Sequence, residues 1–254
     1  MRAPPPRSLE ELGPIASLQL WALLTAHSER IPVAPTVDLA IALLDDLGRS
    51  GIVGVPEPSH RWALAPDTRA APIEGFQWRL TWDVYEPSRL GEALEDYFAE
   101  VAPQPLAGDA VTRLWQELGR AEAERFLASQ LVRHRFPAEW AQDLGRAFAR
   151  VQGLTIGQWR YCGWAAVRRG ASLALQWQRV DELIRGPIFE ELQKRAEGVS
   201  KGNWNNCSFV PRRAEPDTAL SRGFAYGLTG LGEAFWTTPT TDSGLLGHMQ
   251  PEVR

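Results

Sequence analysis

Only two cysteines occur in the 254-residue sequence, Cys162 and Cys207, and they stand far apart. That excludes a disulfide framework and points to a reducing compartment. The four histidines, His27, His60, His134 and His248, are scattered singly, so no zinc-ligand spacing exists and no metal site is expected. No apolar run approaches the roughly 18 residues of a membrane span. The opening Met1-Arg2-Ala3-Pro4-Pro5-Pro6-Arg7 has no apolar region behind it. Neither a membrane span nor a secretory signal is therefore expected, and the expected location is cytoplasmic. Lysine is almost missing, since of 27 basic residues only Lys194 and Lys201 are lysines. This bias fits a GC-rich bacterial genome and says nothing of function. A net charge of −4 gives no global attraction to nucleic acid or to an anionic membrane.

What the chain does have is apolar residues, 44% of the total and enough for a real core, most of them at helical spacing. Ser8 and Glu11 match a capping box, and Pro14 restarts a helix with Leu18, Trp21, Ala22 and Leu24 as its apolar stripe. Pro32 and Pro35 end it. Thr36 caps the next helix, which has Leu39, Ala40, Leu43, Leu44 and Leu47 on one face and Gly51 as its stop. Two extended segments follow, 52–55 and 61–64, joined by the turn-forming Pro56-Glu57-Pro58-Ser59-His60.

Helix, turn, helix and short hairpin in this order resemble the winged-helix domains over about residues 14–66. The resemblance implies that 36–49 is the helix that enters the DNA groove and 52–65 the wing that touches the backbone. Here the chain departs from the DNA-reading pattern. The solvent face of 36–49 shows Asp38, Asp45 and Asp46 against Arg49 alone, and carboxylates repel phosphates. Winged helices that mediate protein contacts fit this charge better, so these three aspartates are expected to bind a partner.

Phe76, Trp78, Leu80, Trp82 and Val84 alternate with Gln77, Arg79, Thr81, Asp83 and Tyr85. That period predicts a strand with one aromatic face, paired with the wing strands. Trp78 and Trp82 read either as a base-stacking platform or as a buried sheet face, and the second is the ordinary reading. Ser88 caps a helix with Leu90, Leu94, Tyr97, Phe98 and Val101 inward, and Pro103 and Pro105 place a boundary near 103–108. From Asp109 the chain reads as helices. One runs to about Arg135, one starts at Phe136-Pro137, and one runs from the Thr155 cap to Val180. The small Gly163, Ala166, Gly170 and Ala171 of the third suit a close neighbour. Another helix spans 182–198, disturbed at Gly186-Pro187. The last spans 217–236, with Gly223, Gly227 and Gly230 as packing positions. Residues 199–216 read as an ordered loop. The expected fold is mainly α: a winged-helix-like N-terminal domain with a small β-sheet over 1–105, a helical domain over 106–236 and a flexible tail over 237–254.

The net charge hides an asymmetry. Residues 1–105 carry eight arginines against 15 acidic residues, whereas 125–179 carry nine arginines against only Glu139 and Asp143. Arg146 and Arg150 share a helix face, Arg168 and Arg169 follow on the next helix, and Arg133 and Arg135 precede them. Guanidinium forks match phosphate oxygens, so these six residues are the expected nucleic-acid contacts. The competing reading pairs the same arginines with the acidic N-terminal domain, of the same chain or of another copy.

Catalytic signatures are lacking. There is no phosphate-cradling loop, no Gly-x-Ser-x-Gly elbow and no His-Glu-x-x-His, and Gly227-Leu-Thr-Gly-Leu-Gly232 has no strand before it. No catalytic residue and no cofactor are implied. The loop Lys201-Gly202-Asn203-Trp204-Asn205-Asn206-Cys207-Ser208 is the one place for an enzyme reading, and a Cys207 nucleophile there needs a base supplied by folding. The ordinary reading buries Cys207 as a small hydrophobe. Of Trp115, Trp140, Trp159, Trp164 and Trp177, most are expected in the core and one or two exposed for a partner. The leading expectation is a non-enzymatic nucleic-acid-binding protein, a subunit of a larger bacterial assembly with other protein subunits. The alternative is a protein-interaction or scaffold module with no nucleic-acid contact, the arginines then meeting an acidic protein surface, and an enzyme using the loop around Cys207 comes third.

Overall fold

The computed structural model describes residues 5–54, 77–101, 109–177, 181–204 and 207–249. These are mainly helical and fall into two compact units, one of Met1–Val111, Glu215–Gly232 and Met249–Arg254, the other of Thr112–Ala214 and Glu233–His248. The expected extended segment 61–64, its turn and the boundary at 103–108 lie outside the described residues.

In the first unit, the Ser8 hydroxyl accepts from Glu11 N and opens α1 (Leu9–Leu12), and Gly13, at φ 81°, turns the chain into α2 (Pro14–Glu29). Proline is at home on the first residue of a helix because its missing N–H has no partner there anyway. Thr36 accepts from Leu39 N and starts α3 (Val37–Arg49), which buries Ala40, Leu43, Leu44 and Leu47. β1 (Val53–Gly54) pairs antiparallel with β2 (Arg79–Leu80), Val53 opposite Leu80. Among the described residues the small sheet is thus two residues deep, and the long strand expected over 76–85 is reduced to that pair. Past Thr81, whose N–H donates to Ile52 O at 2.9 Å, no strand among the described residues lies alongside. Trp82 is buried instead through its own indole N–H, which donates to Pro6 O at 2.7 Å, while Val84 is 43% exposed. α4 (Pro87–Val101) buries Leu90, Leu94, Tyr97 and Phe98 as its spacing predicts.

Residues 215–232 belong with this unit, not with the preceding helical residues. Ala219 N and Leu220 N donate to Pro32 O and Val33 O at 2.9 and 2.8 Å. Arg222 donates to Glu29 at 2.6 Å and lies 2.9 Å from Glu215. The single helix expected over 217–236 is replaced by α9 (Ala219–Arg222), a π-helical turn Gly223–Leu228 and a 3-10 turn Gly232–Trp236. Gly223 lets the turn lie against Leu18 and Trp21, where a Cβ would come within 2.7 Å of both. Gly230 is not a packing position, since a Cβ there would meet no atom within 4 Å. At φ 63° it turns the chain between the π-helical turn and the 3-10 turn.

α5 (Asp109–Arg133) leads into the second unit. It ends in a turn at Arg135, φ 62°, closed by Phe136 N donating to Leu131 O at 2.8 Å. The helix expected from Phe136-Pro137 begins as a 3-10 turn (Ala138–Asp143) and becomes α-helical only in α6 (Leu144–Arg150). Thr155 and Gln158 form a full capping box for α7 (Ile156–Gln176). α8 (Asp181–Ser200) runs through Pro187 and packs antiparallel on α7, with Gly170 against Ile188 and Tyr161 against Arg195. The core holds Leu127, Leu144, Trp159, Cys162, Ala166 and Leu192. The expected flexible tail is folded over its first part: α10 (Asp242–Met249) buries Leu245, and Gln116 holds Thr240 O at 3.1 Å. Among the described residues, no helix is long and apolar enough to cross a membrane.

Candidate nucleic-acid interface

All six arginines singled out from the sequence are exposed. Arg133 ends α5, Arg135 sits in the turn after it, Arg146 and Arg150 lie one turn apart on α6, and Arg168 and Arg169 lie on α7. They differ in what holds them. Arg146 lies 3.9 Å from Asp143, a carboxylate that also takes Arg185 through two hydrogen bonds of 2.9 and 3.1 Å. Those bonds hold the Arg185 pKa above its ordinary value. Arg150 donates to Gln193 Oε1 at 3.0 Å. One carboxylate therefore offsets part of the positive charge around α6.

Arg168 is held differently. Its guanidinium lies over the Trp164 ring, 4.8 Å from the centroid. A guanidinium stacked on a ring covers its face but keeps its full charge, and its N–H edges point outward in the plane. Trp164 is one member of a longer row. Phe209 lies 6.3 Å from Trp164 and 5.1 Å from Phe126, and Arg160 sits between Phe126 and Trp236 at 4.5 and 5.0 Å. In the other direction Tyr161 lies 6.0 Å from Trp164 and accepts from Arg195 at 3.3 Å, and Arg195 covers the Trp204 ring at 4.8 Å. Arg195 also donates to Glu191 at 2.6 Å, which raises its pKa.

The row exists because residues 207–210 cross the first turns of α7. Phe209 N donates to Gly157 O at 2.8 Å, and a Cβ at Gly157 would overlap the Ser208 hydroxyl. Farther on, the Trp236 indole N–H donates to Ala214 O and ties down the far end of the loop. Phe209 and Val210 are each 39% exposed, with Arg212 and Arg213 exposed beside them. Part of this was readable, since Arg160, Trp164 and Arg168 recur every four residues on one side of a helix. Phe126 and Phe209 arrive only through the fold.

Of the five tryptophans expected mostly in the core, Trp115 and Trp159 are buried, Trp140 and Trp164 are half-buried, and Trp177 is 42% exposed. Cys207 is half-buried at the edge of the core, not enclosed within it. Its hydrogen bond with Tyr161 is the main cause that raises the Tyr161 pKa, with burial adding to it. A phenol kept protonated gives this thiol a donor and no base. Cys162 is fully enclosed, and burial pushes its thiol up to about 12. On α3, Asp38 and Asp45 are exposed, while Asp46 accepts from Gln19 at 3.2 Å and pairs with Arg49. Among the described residues, no group of three His, Cys, Asp or Glu side chains is placed to hold a metal ion. No protein-family model, curated protein or solved structure matches the chain.

Proposed function

We propose that the chain is a non-enzymatic nucleic-acid-binding protein whose second unit contacts phosphates through Arg133, Arg135, Arg146, Arg150, Arg168 and Arg169. The observation that carries the reading is the exposure of all six in a stretch with only two acidic residues. Arginine on a solvent-exposed helical surface exchanges condensed counterions for direct phosphate contact, and binding of that kind falls steeply with salt. In this reading the acidic face of α3, with Asp38, Asp45 and Asp46, meets another protein subunit of a bacterial nucleoprotein assembly. The winged-helix likeness of residues 14–66 then serves protein contact, since those carboxylates would repel DNA. Anisotropy of labelled single-stranded and duplex DNA and RNA, titrated over salt, tests it. Affinity that weakens with salt and drops in Arg168→Glu/Arg169→Glu supports phosphate contact, and the absence of any binding at low salt would falsify it.

One observation favours the scaffold reading. Leu175, Trp177 and Leu183, on either side of the α7–α8 connection, are 86%, 42% and 57% exposed. Large apolar side chains grouped at a helix end are a common mark of protein contact. In that case Leu175→Asp would abolish capture of the protein partner, and the wild-type chain would bind no nucleic acid at low salt.

A further inference from the structure

We infer that the ligand is a single strand and that one of its bases stacks on the exposed ring of Phe209, beside Trp164 and Arg168. The inference rests on the nucleic-acid reading above and specifies the ligand of the same unit. Three observations carry it. Phe209 leaves 39% of its surface in water although its own N–H is bonded to Gly157 O and the loop is tied again at Ala214, so the exposure is imposed by a fixed backbone. The neighbouring ring, Trp164, is half-buried and carries a guanidinium on its face at 4.8 Å. Finally, the first charged residues after the exposed ring are Arg212 and Arg213, both exposed, two and three residues beyond Val210.

Rings alternating with guanidinium groups match the chemistry of a single strand, in which each flat base hangs beside its own phosphate. Stacking accepts any base because every base has a π face, and arginine takes the phosphate by a charge-assisted hydrogen bond. A duplex cannot use the rings, because its bases already stack on each other and show only their edges. A protein partner would also cover Phe209 and Val210, but the arginines would then need carboxylates opposite them, whereas an anionic polymer supplies a charge at every residue.

The test uses the full chain with labelled oligothymidylate and a duplex of equal length at one salt concentration. The single strand should bind more tightly and quench tryptophan fluorescence, through Trp164. Phe209→Ala should weaken it roughly 5- to 150-fold, the range for loss of one stacked base. Phe209→Tyr, which keeps the ring, should retain wild-type affinity, and a thermal melt checks that both variants are folded. Duplex binding as tight as that of the single strand, or unchanged affinity in Phe209→Ala, overturns the stacking inference. If Arg168→Glu/Arg169→Glu still loses affinity in either case, phosphate contact survives. If neither nucleic acid binds at low salt, both fall together.

Discussion

On one side of α7 stand Cys162, Gly163, Ala166 and Gly170, small and buried in the helical core; on the other stand Arg160, Tyr161, Trp164 and Arg168, large and half-buried or exposed. Both sides are packed, but by different means. The first admits neighbouring helices to close range and excludes water, so small changes of volume or charge there act on stability. The second stacks guanidinium groups on rings under an irregular loop, and it leaves charge and one aromatic edge in solvent. A helix of this kind teaches that the faces can be altered separately. Substitutions on the first should change unfolding and leave binding alone, and those on the second should do the reverse.

The largest expected effect concerns Cys162. Its thiol titrates near 12 in the folded chain against an ordinary 9, because burial disfavours the thiolate. The folded state therefore holds the proton to higher pH than the unfolded state does. This contribution is intact below pH 9 and is lost progressively as pH rises from 9 to 12, by about 4 kcal/mol in all. The raised Tyr161 acts in the same direction. Urea unfolding followed above pH 9 should show stability falling with pH, with a shallower fall in Cys162→Ala. Maleimide labelling of the native protein should modify Cys207 and spare Cys162. Equal labelling of both would show that the buried face is open to solvent.

Next in size is Gly170→Ala. A Cβ there would overlap Ile188 and lie 3.3 Å from Ile184. Both are β-branched side chains with little freedom to turn away. Overpacking of this kind costs about 1–3 kcal/mol, of which helix propensity returns up to about 1. The thermal midpoint should fall while oligothymidylate affinity stays at the wild-type value. A loss of affinity without a loss of stability would contradict the division between the two faces.

A smaller effect separates the two kinds of arginine. Arg168→Glu/Arg169→Glu should reduce nucleic-acid affinity by about tenfold or more and lower the salt slope by about 2, one unit for each phosphate contact. Arg146→Glu/Arg150→Glu should act less strongly, because Asp143 and Gln193 already engage those side chains. Equal effects would mean that the internal partners give way when phosphate arrives.

Much of the fold could be read from local signals. The Thr36 and Thr155 caps, the apolar faces of α3 and α4 and the close approach at Gly170 each depend on residues within one element or on the smallness of a side chain. What could not be read depends on contacts distant in sequence. The return of 215–232 to the first unit rests on Pro32, Val33 and Glu29, nearly two hundred residues away. The period of 76–85 promised a strand, but strand formation needs a partner alongside, and alternation cannot report one. The candidate site divides in the same way: its arginines and Trp164 were visible on α7, whereas Phe209 enters through a loop whose path is set by Gly157.

The smallest effect is expected at Gly163, about two turns before Gly170 on the same buried side of α7. The two glycines look alike in sequence, but a Cβ at Gly163 would meet Leu127 Cδ1 at 3.4 Å, an ordinary contact with the end of a flexible side chain. Nothing there needs to move. Alanine should then gain the helix propensity that glycine forfeits, together with the entropy that it removes from the unfolded chain, and raise stability by up to about 1 kcal/mol. A higher thermal midpoint for Gly163→Ala beside a lower one for Gly170→Ala would show that, of these two, α7 needs only the glycine that faces Ile188. A drop at both positions would mean that α5 approaches the buried face as closely as α8 does.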